Sequence, residues 1–284
     1  MKLTQAKLTE TLRKLADGKT VYQARKTARI SVRRVYQVKE AFDKTGEIPT
    51  IGKYAGRPRK PFDEWEIMAV KEAYERYRVS ADTLERLIDR DLKKHIGHNR
   101  IHQILVYLGY AQKKSNKDVR KKKWIRYQRR HSLTAVHIDW HYFKGIWVFC
   151  VEDDASRKLL ALIESEKEST NNSILGMELA LKHGKIKQCI SDHGSTFTSN
   201  FIDANSRFRD YLKSKGIKPI LCKVRHPQSN GKIEKWFQAY DRHRRAYKNK
   251  EDFIYWYNDL KPHRSLNFDE LETPSQAFVR KMRK

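Results

Sequence analysis

The chain has 284 residues, of which 61 are Lys or Arg and 34 are Asp or Glu, so its formal net charge is +27. A surplus of this size points to a polyanionic partner such as nucleic acid, whereas a small acidic metabolite would not require it. No apolar run approaches the roughly 18 residues of a membrane span, and we expect no export signal. The three cysteines lie far apart, so neither a disulfide framework nor a zinc site is expected, and a cytoplasmic protein fits best.

The positive charge is unevenly distributed along the chain. The first 60 residues carry a net +11 and residues 111–131 a net +9, whereas 61–110 carry −1 and 132–284 carry +8. A uniformly basic surface is therefore excluded. Composition and pattern together predict two helical DNA-binding domains at 1–50 and 62–110, a basic linker at 51–61, a basic connector at 111–131, and a core at 132–284.

The first 50 residues have the pattern of three short helices. Ser31 is a good N-cap for the third of them, and a short helix, a tight turn and a second helix form the helix-turn-helix pattern. Arg33, Arg34 and Gln37 would then reach base edges in the major groove, because guanidinium pairs with guanine and carboxamide with adenine. The alternative is a small helical bundle with a solvated basic face.

A second unit of the same kind spans 62–110. Its candidate groove residues are Asn99, Arg100 and Gln103, but the net charge of −1 leaves a packing or oligomerisation role open. The linker between the units contains Gly56-Arg57-Pro58-Arg59, which resembles an AT-hook. In that interpretation Arg57 and Arg59 lie along a narrow minor groove; the alternative is a plain basic linker.

From about residue 133 the pattern changes from helical to extended. Three closely spaced β-branched and aromatic runs predict an antiparallel meander, and the helices and strands that follow alternate. This order predicts an α/β core, with a five-stranded mixed sheet and helices on both faces.

Three carboxylates fall at the ends of predicted elements. Asp139 lies late in the first strand, Asp192 directly follows the fourth strand, and Glu234 lies in the first turn of a later helix. If strands one and four are neighbours, the two aspartates face each other and Glu234 closes the third side. Three such charges repel unless divalent cations fill the site, and Mg²⁺ or Mn²⁺ prefer oxygen ligands. Two such ions support phosphodiester chemistry.

Several motifs around these carboxylates resemble one family. Val136-His-Ile-Asp139-Trp, Ser191-Asp192-His-Gly-Ser-Thr-Phe197 and His226-Pro-Gln-Ser-Asn-Gly-Lys-Ile-Glu234 are similar to the catalytic core of the retroviral integrase superfamily, and most of all to insertion-sequence transposases of the DDE type. The resemblance implies an RNase H-like fold in which Asp139, Asp192 and Glu234 hold two Mg²⁺ ions, with Mn²⁺ as a substitute. It further implies cleavage of transposon ends to 3′ hydroxyls, followed by strand transfer into target DNA.

The spacing of the last two carboxylates departs from the family pattern. The 41 residues between Asp192 and Glu234 exceed the usual family spacing, and we place the surplus in a loop at 200–209, since both flanking motifs are intact. In the last motif Gln228, Asn230, Lys232 and Lys235 are expected to face the DNA backbone.

The chain is therefore predicted to be a prokaryotic, cytoplasmic and nucleoid-associated transposase that binds terminal inverted repeats and target double-stranded DNA. Because two ends must be brought together, at least a homodimer on DNA is expected, and no membrane is involved. Two alternatives stay open: a catalytically silent DNA-binding regulator derived from a transposase, and an RNase H-like nuclease.

Overall fold

The computed structural model describes residues 3–51, 60–112, 129–194, 196–197, 206–222 and 231–283. These residues form two compact units, 1–61 and 62–284. The predicted DNA contacts Arg57, Arg59, Gln228 and Asn230 lie outside the described residues, as does most of the basic connector. Within the described part, no helix combines the length and the apolar character that crossing a membrane requires.

The first unit consists of three helices in the predicted order: α1 (Gln5–Ala16), α2 (Val21–Ala28) and α3 (Val32–Thr45). Thr20 and Ser31 cap the second and third, each accepting a backbone N–H three residues on. Leu8 and Val35 are among its buried side chains. The three helices therefore have a small apolar core of their own.

The second unit begins with α4 (Glu64–Tyr77), α5 (Ala81–Leu92) and α6 (His98–Tyr107). These helices share their apolar core with the far end of the chain, because Leu271 is buried in the same cluster and Phe268 packs against it. In addition, the Trp256 indole N–H donates to the carbonyl oxygen of Tyr77 at 2.7 Å. Residues 62–110, predicted as a separate domain, thus lie in one compact unit with the core.

The core contains the predicted five-stranded mixed sheet, in the order β3-β2-β1-β4-β5. Strands β1, β2 and β3 pair antiparallel, while β4 pairs parallel with β1 and with β5. The strands are β1 (Val136–Phe143), β2 (Ile146–Asp153), β3 (Leu159–Ser165), β4 (Gln188–Ser191) and β5 (Lys218–Leu221). The helices are α7 (Thr170–Leu181), α8 (Arg207–Ser214), α9 (Gly231–His243), α10 (Lys250–Tyr255) and α11 (Pro274–Arg280).

Each face of the sheet is covered by its own helices, as predicted. On one face, Ile138 and Phe149 pack with Met177 of α7 and Phe208 of α8. On the other, strand residues including Cys150 pack with an aromatic cluster from α9 and the segment that follows it. Because successive side chains of a strand point to opposite faces, Asp139 lies on the same face as α9.

Gly176 allows α7 to approach the sheet closely. A Cβ atom at this position would lie 2.4 Å from Cε1 of Phe149, whose ring is fully buried. Gly176→Ala is therefore expected to lower the free energy of unfolding by about 1–3 kcal/mol, although the same change in an open helix stabilises. Urea unfolding measures the difference, with the exposed Glu178→Ala on the same helix as a near-neutral control. An unchanged or higher stability of Gly176→Ala would contradict this close packing.

Candidate active site

Asp139 and Asp192 are brought together by the pairing of β1 with β4. The parallel register aligns Val136 with Cys189 and His137 with Ile190, and its continuation sets Asp139 opposite Asp192. The Oδ1 atom of Asp139 accepts the N–H of Trp140 at 2.8 Å, and Oδ1 of Asp192 accepts the N–H of Gly194 at 2.8 Å. Backbone donors thus hold each carboxylate in a defined orientation.

The thiol of Cys222 lies close enough to the carboxylates of Asp139 and Asp192 to be affected by their negative charges. Burial, together with the negative charges of Asp192 and then Asp139, raises the pKa of its thiol to about 11. The carbonyl oxygen of Cys222 accepts a hydrogen bond from Nε2 of His193 at 2.9 Å. His193 is therefore tied to the backbone at the end of β5, close to the two aspartates.

Glu234 lies in the first turn of α9, as predicted, and its side chain is exposed. The structure does not gather it with the two aspartates into a compact cluster. Among the described residues, no group of three or more His, Cys, Asp or Glu side chains is arranged to hold a metal ion. Residues 223–230, which lead into α9, lie outside the described part of the chain.

The donor set of the two aspartates suits a hard divalent cation. Asp139 in β1 and Asp192 just after β4 both carry carboxylates, and carboxylate oxygens are the ligands that Mg²⁺ and Mn²⁺ prefer. Asp139 and Asp192 would hold such an ion, and Glu234 is the candidate for completing its ligand set.

Lys232 occupies a different position from the one expected. Its ammonium lies 2.5 Å from Oδ1 of the fully buried Asp154, and only 12% of its side chain is exposed. Burial, together with the charge of Arg157, lowers the pKa of Lys232 to about 8. The side chain points into the protein instead of toward a DNA backbone, whereas its neighbour Lys235 is exposed and donates to Gln238 at 2.8 Å.

Asp154 is the centre of a buried polar network that the sequence pattern did not reveal. Its Oδ1 atom also lies 2.7 Å from Nε2 of the fully buried His137, and its Oδ2 accepts the N–H of Arg129 at 2.7 Å. Hydrogen bonds from His137 and the charge of Lys232 lower the pKa of Asp154 despite its burial. Asp153, in contrast, accepts hydrogen bonds from the N–H and hydroxyl of Ser156 in the turn that follows β2.

The predicted groove residues of the first unit are accessible on α3. Arg33, Arg34 and Gln37 are all exposed, and Arg34 Nη1 donates to Gln37 Oε1 at 3.2 Å. This one-turn pair presents a guanidinium and a carboxamide side by side on the helix surface.

The predicted groove residues of α6 have mixed environments. Asn99 and Gln103 are exposed. Arg100, however, forms an ion pair with Glu66 at 2.7 Å and lies over the ring of Phe62, 4.5 Å from its centroid. Its guanidinium thus joins α6 to the start of α4, which favours the packing role that the sequence left open.

A cleft of about 830 Å³ opens between the α4–α6 helices and α9. Among the described residues, its lining includes several basic side chains and no Asp or Glu. Its basic lining residues are Arg78, His102, Lys235, Arg242, His243, Lys261, His263 and Arg264. The cleft therefore carries positive potential along α9, the helix whose first turn contains Glu234.

Comparisons with known proteins concern mainly the centre of the chain. Residues 129–227 match the family described as integrase core domain. An alignment of 178 residues, which covers 52% of this chain, is 29% identical to the protein named "Putative integrase ORF3" of Spiroplasma virus SpV1-C74. The aligned part spans 49% of that relative, so the chain covers about half the length of the curated protein it matches.

Two solved structures were also matched. The catalytic core domain of BIV integrase aligns with a TM-score of 0.42 and 14% identity, over 52% of this chain and 94% of that one. A chain of the simian T-cell lymphotropic virus intasome in complex with PP2A regulatory subunit B56 gamma gives a TM-score of 0.45 and 14% identity, over 74% of each chain. It is the sequence match that identifies residues 129–227 as similar to an integrase core domain.

Proposed function

We propose that this chain is a transposase that binds the terminal inverted repeats of an insertion sequence, cuts the DNA at their 3′ ends and joins those ends to target DNA. The observation that carries the proposal is the parallel register of β1 and β4, which, extended by two residues, would bring Asp192 level with Asp139. The match to the integrase core domain covers both residues. Their role in the reaction would be to supply oxygen ligands for divalent cations.

The reaction would use Mg²⁺, or Mn²⁺ as a substitute, at Asp139, Asp192 and Glu234. When two such ions are bound, they stabilise the negative charge that develops on the oxygens of the phosphodiester undergoing displacement. The protein's own part is to hold its carboxylates in fixed directions, which the backbone donors of Trp140 and Gly194 do for the two aspartates.

Double-stranded DNA fits the distribution of charge. The basic cleft beside α9 would guide the phosphate backbone past Glu234, with Lys235 and Arg242 on its accessible wall. Asn99 and Gln103, which are exposed on α6, would make further contacts, and Arg33, Arg34 and Gln37 would recognise the terminal repeats. Because two ends must meet before joining, we infer that at least two copies of the chain act together on DNA.

The test is a joining assay with the full chain, labelled DNA from the flanks of its gene, an unlabelled plasmid and Mg²⁺. The expected products are 3′-cut ends followed by labelled plasmid of higher mass. Binding without cutting would instead indicate a catalytically silent regulator. Cutting without joining, with no preference for the flanking DNA, would indicate an RNase H-like nuclease.

A variant of α3 tests the recognition part of this proposal. Arg33→Ala combined with Arg34→Ala should weaken binding to the flanking DNA and reduce its preference over unrelated DNA, because each good base contact contributes about 1–3 kcal/mol of discrimination. Fluorescence anisotropy at several salt concentrations measures both quantities. Arg13→Ala with Lys19→Ala removes the same charge from exposed positions outside α3. Equal losses of preference in the two double variants would argue against base recognition by α3.

A further inference from the structure

The buried ion pair of Asp154 and Lys232 links α9, which carries Glu234, to the end of β2 and, through His137, to β1, which carries Asp139. Asp154 directly follows β2 and also binds His137, which lies in β1 two residues before Asp139. Lys232 is the second residue of α9, two residues before Glu234. Ile233, between Lys232 and Glu234, is fully buried in the apolar cluster on the face of the sheet that α9 covers. The first turn of the helix is thus fixed by a polar contact and an apolar contact in adjacent positions.

A second contact fixes the same helix farther along β1. His141 Nε2 lies 2.8 Å from Oδ1 of Asp241, and the His141 ring stacks on Phe237 with a centroid separation of 4.6 Å. Because alternate residues of a strand share a face, His137, Asp139 and His141 all lie on the side that α9 covers. The two contacts therefore flank Asp139.

The spacings of the two contacts agree in strand and helix. Four residues of strand, from His137 to His141, advance by about 13 Å. Nine residues of helix, from Lys232 to Asp241, advance by about 13.5 Å. If Lys232 and His137 are taken as level, because both side chains meet at Oδ1 of Asp154, Glu234 lies about 3 Å beyond that level and Asp139 about 6.6 Å beyond it. The offset between the two carboxylate-bearing residues is thus less than one helical turn.

We propose that the Asp154–Lys232 ion pair and the His141–Asp241 contact together hold α9 along β1, so that Glu234 is kept on the face of Asp139 and can join its carboxylate when a metal ion binds. Asp154 and Lys232 are then positioning residues for the metal site, with no contact to the substrate. The inference rests on the proposed function, because it assigns Asp139 and Glu234 to one site. It also accounts for a lysine of α9 that is directed into the protein instead of toward DNA.

The geometry explains why an ion pair serves this purpose. The first N–H groups of a helix have no partner within the helix, so the first turn frays easily unless other contacts hold it. A buried cation that bonds a buried carboxylate has one well-defined position, because any other leaves both charges desolvated and unpaired. Rotation or loosening of this turn would move Glu234 directly.

The test measures Mn²⁺ binding to metal-free full-length protein by titration calorimetry, and amide exchange in α9. Asp154→Asn combined with Lys232→Met removes both charges, so neither remains buried without its counter-charge. We expect this double variant to stay folded by circular dichroism, to bind Mn²⁺ at least about tenfold more weakly, as loss of an orienting partner typically causes, and to exchange the first-turn amides of α9 faster. Lys248→Met, at an exposed position, is the matched control and should bind like the wild type.

A thermodynamic cycle with Glu234→Gln separates positioning from general damage. If the ion pair acts through Glu234, the double variant should cost no further Mn²⁺ affinity in the Glu234→Gln background. An equal loss in both backgrounds, or unchanged Mn²⁺ affinity and α9 exchange in the double variant, would overturn the positioning role alone. Failure of the wild type to bind Mn²⁺ would overturn the proposed function and this inference together.

Discussion

Asp139→Asn, Asp192→Asn and Glu234→Gln should each reduce Mg²⁺-dependent cleavage of the flanking DNA by about a thousandfold or more. Each change removes a negative oxygen ligand but keeps the size of the side chain, so the fold and the DNA-binding surfaces stay in place. Loss of a single charge-stabilising group in an active site typically costs 10²–10³ in rate, and a carboxylate that orders the ions affects every step. Single-turnover cleavage with saturating protein separates this loss from any change in binding.

Binding to the same DNA is expected to stay within about twofold for all three variants, because single surface charges have small effects on contacts elsewhere. Glu251→Gln provides the control, since Glu251 is an exposed carboxylate of α10 beyond the last motif; it should cleave at the wild-type rate. Wild-type cleavage by any one of the three variants would remove that residue from the site. A loss of cleavage in Glu251→Gln would show that the third carboxylate had been misassigned.

The sequence predicted the architecture of the core because its signals are local. Period-two runs separated by short turns define β1 to β3, and the alternation of helix and strand that follows requires parallel pairing of β4 and β5. The proximity of Asp139 and Asp192 could be expected for the same reason, since the topology makes β1 and β4 neighbours, although Asp139 lies in the middle of β1 and not at its end. The capping residue Ser31 was likewise identified from its position before an amphipathic run.

What the sequence did not reveal depends on contacts between distant residues. Lys232 stands in a motif of polar residues, so it was interpreted as a DNA contact, and only the fold shows Asp154, 78 residues earlier, beneath it. Arg100 is similar, because its partner Glu66 lies on another helix. A lysine flanked by a residue as apolar as Ile233 at the start of a helix is a weak signal of burial, and it could have prompted a search for an acidic partner.

The separation of 62–110 from the core was predicted from composition and from the pattern of three helices, and neither carries information about packing against distant parts of the chain. A shift from acidic helices to basic connector looks the same whether the helices stand alone or dock on the end of the chain. The structure shows that they dock, through a shared apolar cluster that includes Leu271 and through the hydrogen bond from Trp256 to Tyr77.

This docking leads to a second prediction with a large effect. Trp256→Ala should lower the free energy of unfolding by about 3–5 kcal/mol, the usual cost of truncating a buried large aromatic side chain. The indole is fully buried, packs against Phe253 and Tyr247 with centroid separations of 5.6 and 5.5 Å, and bonds the last residue of α4. Trp256→Phe keeps most of the apolar contact and removes the hydrogen bond, so it should cost less.

Urea unfolding followed by circular dichroism gives the free energies of unfolding. Tyr255→Ala serves as the control, because Tyr255 precedes Trp256 but is exposed, so its truncation should change stability by about 0.5 kcal/mol or less. Amide exchange then shows where the loss falls. If α4–α6 depend on the docking, their amides should lose protection in Trp256→Ala together with those of the segment after α9. If α4–α6 keep their amide protection while the segment after α9 loses it, these helices fold independently. The two sides of the basic cleft could then separate.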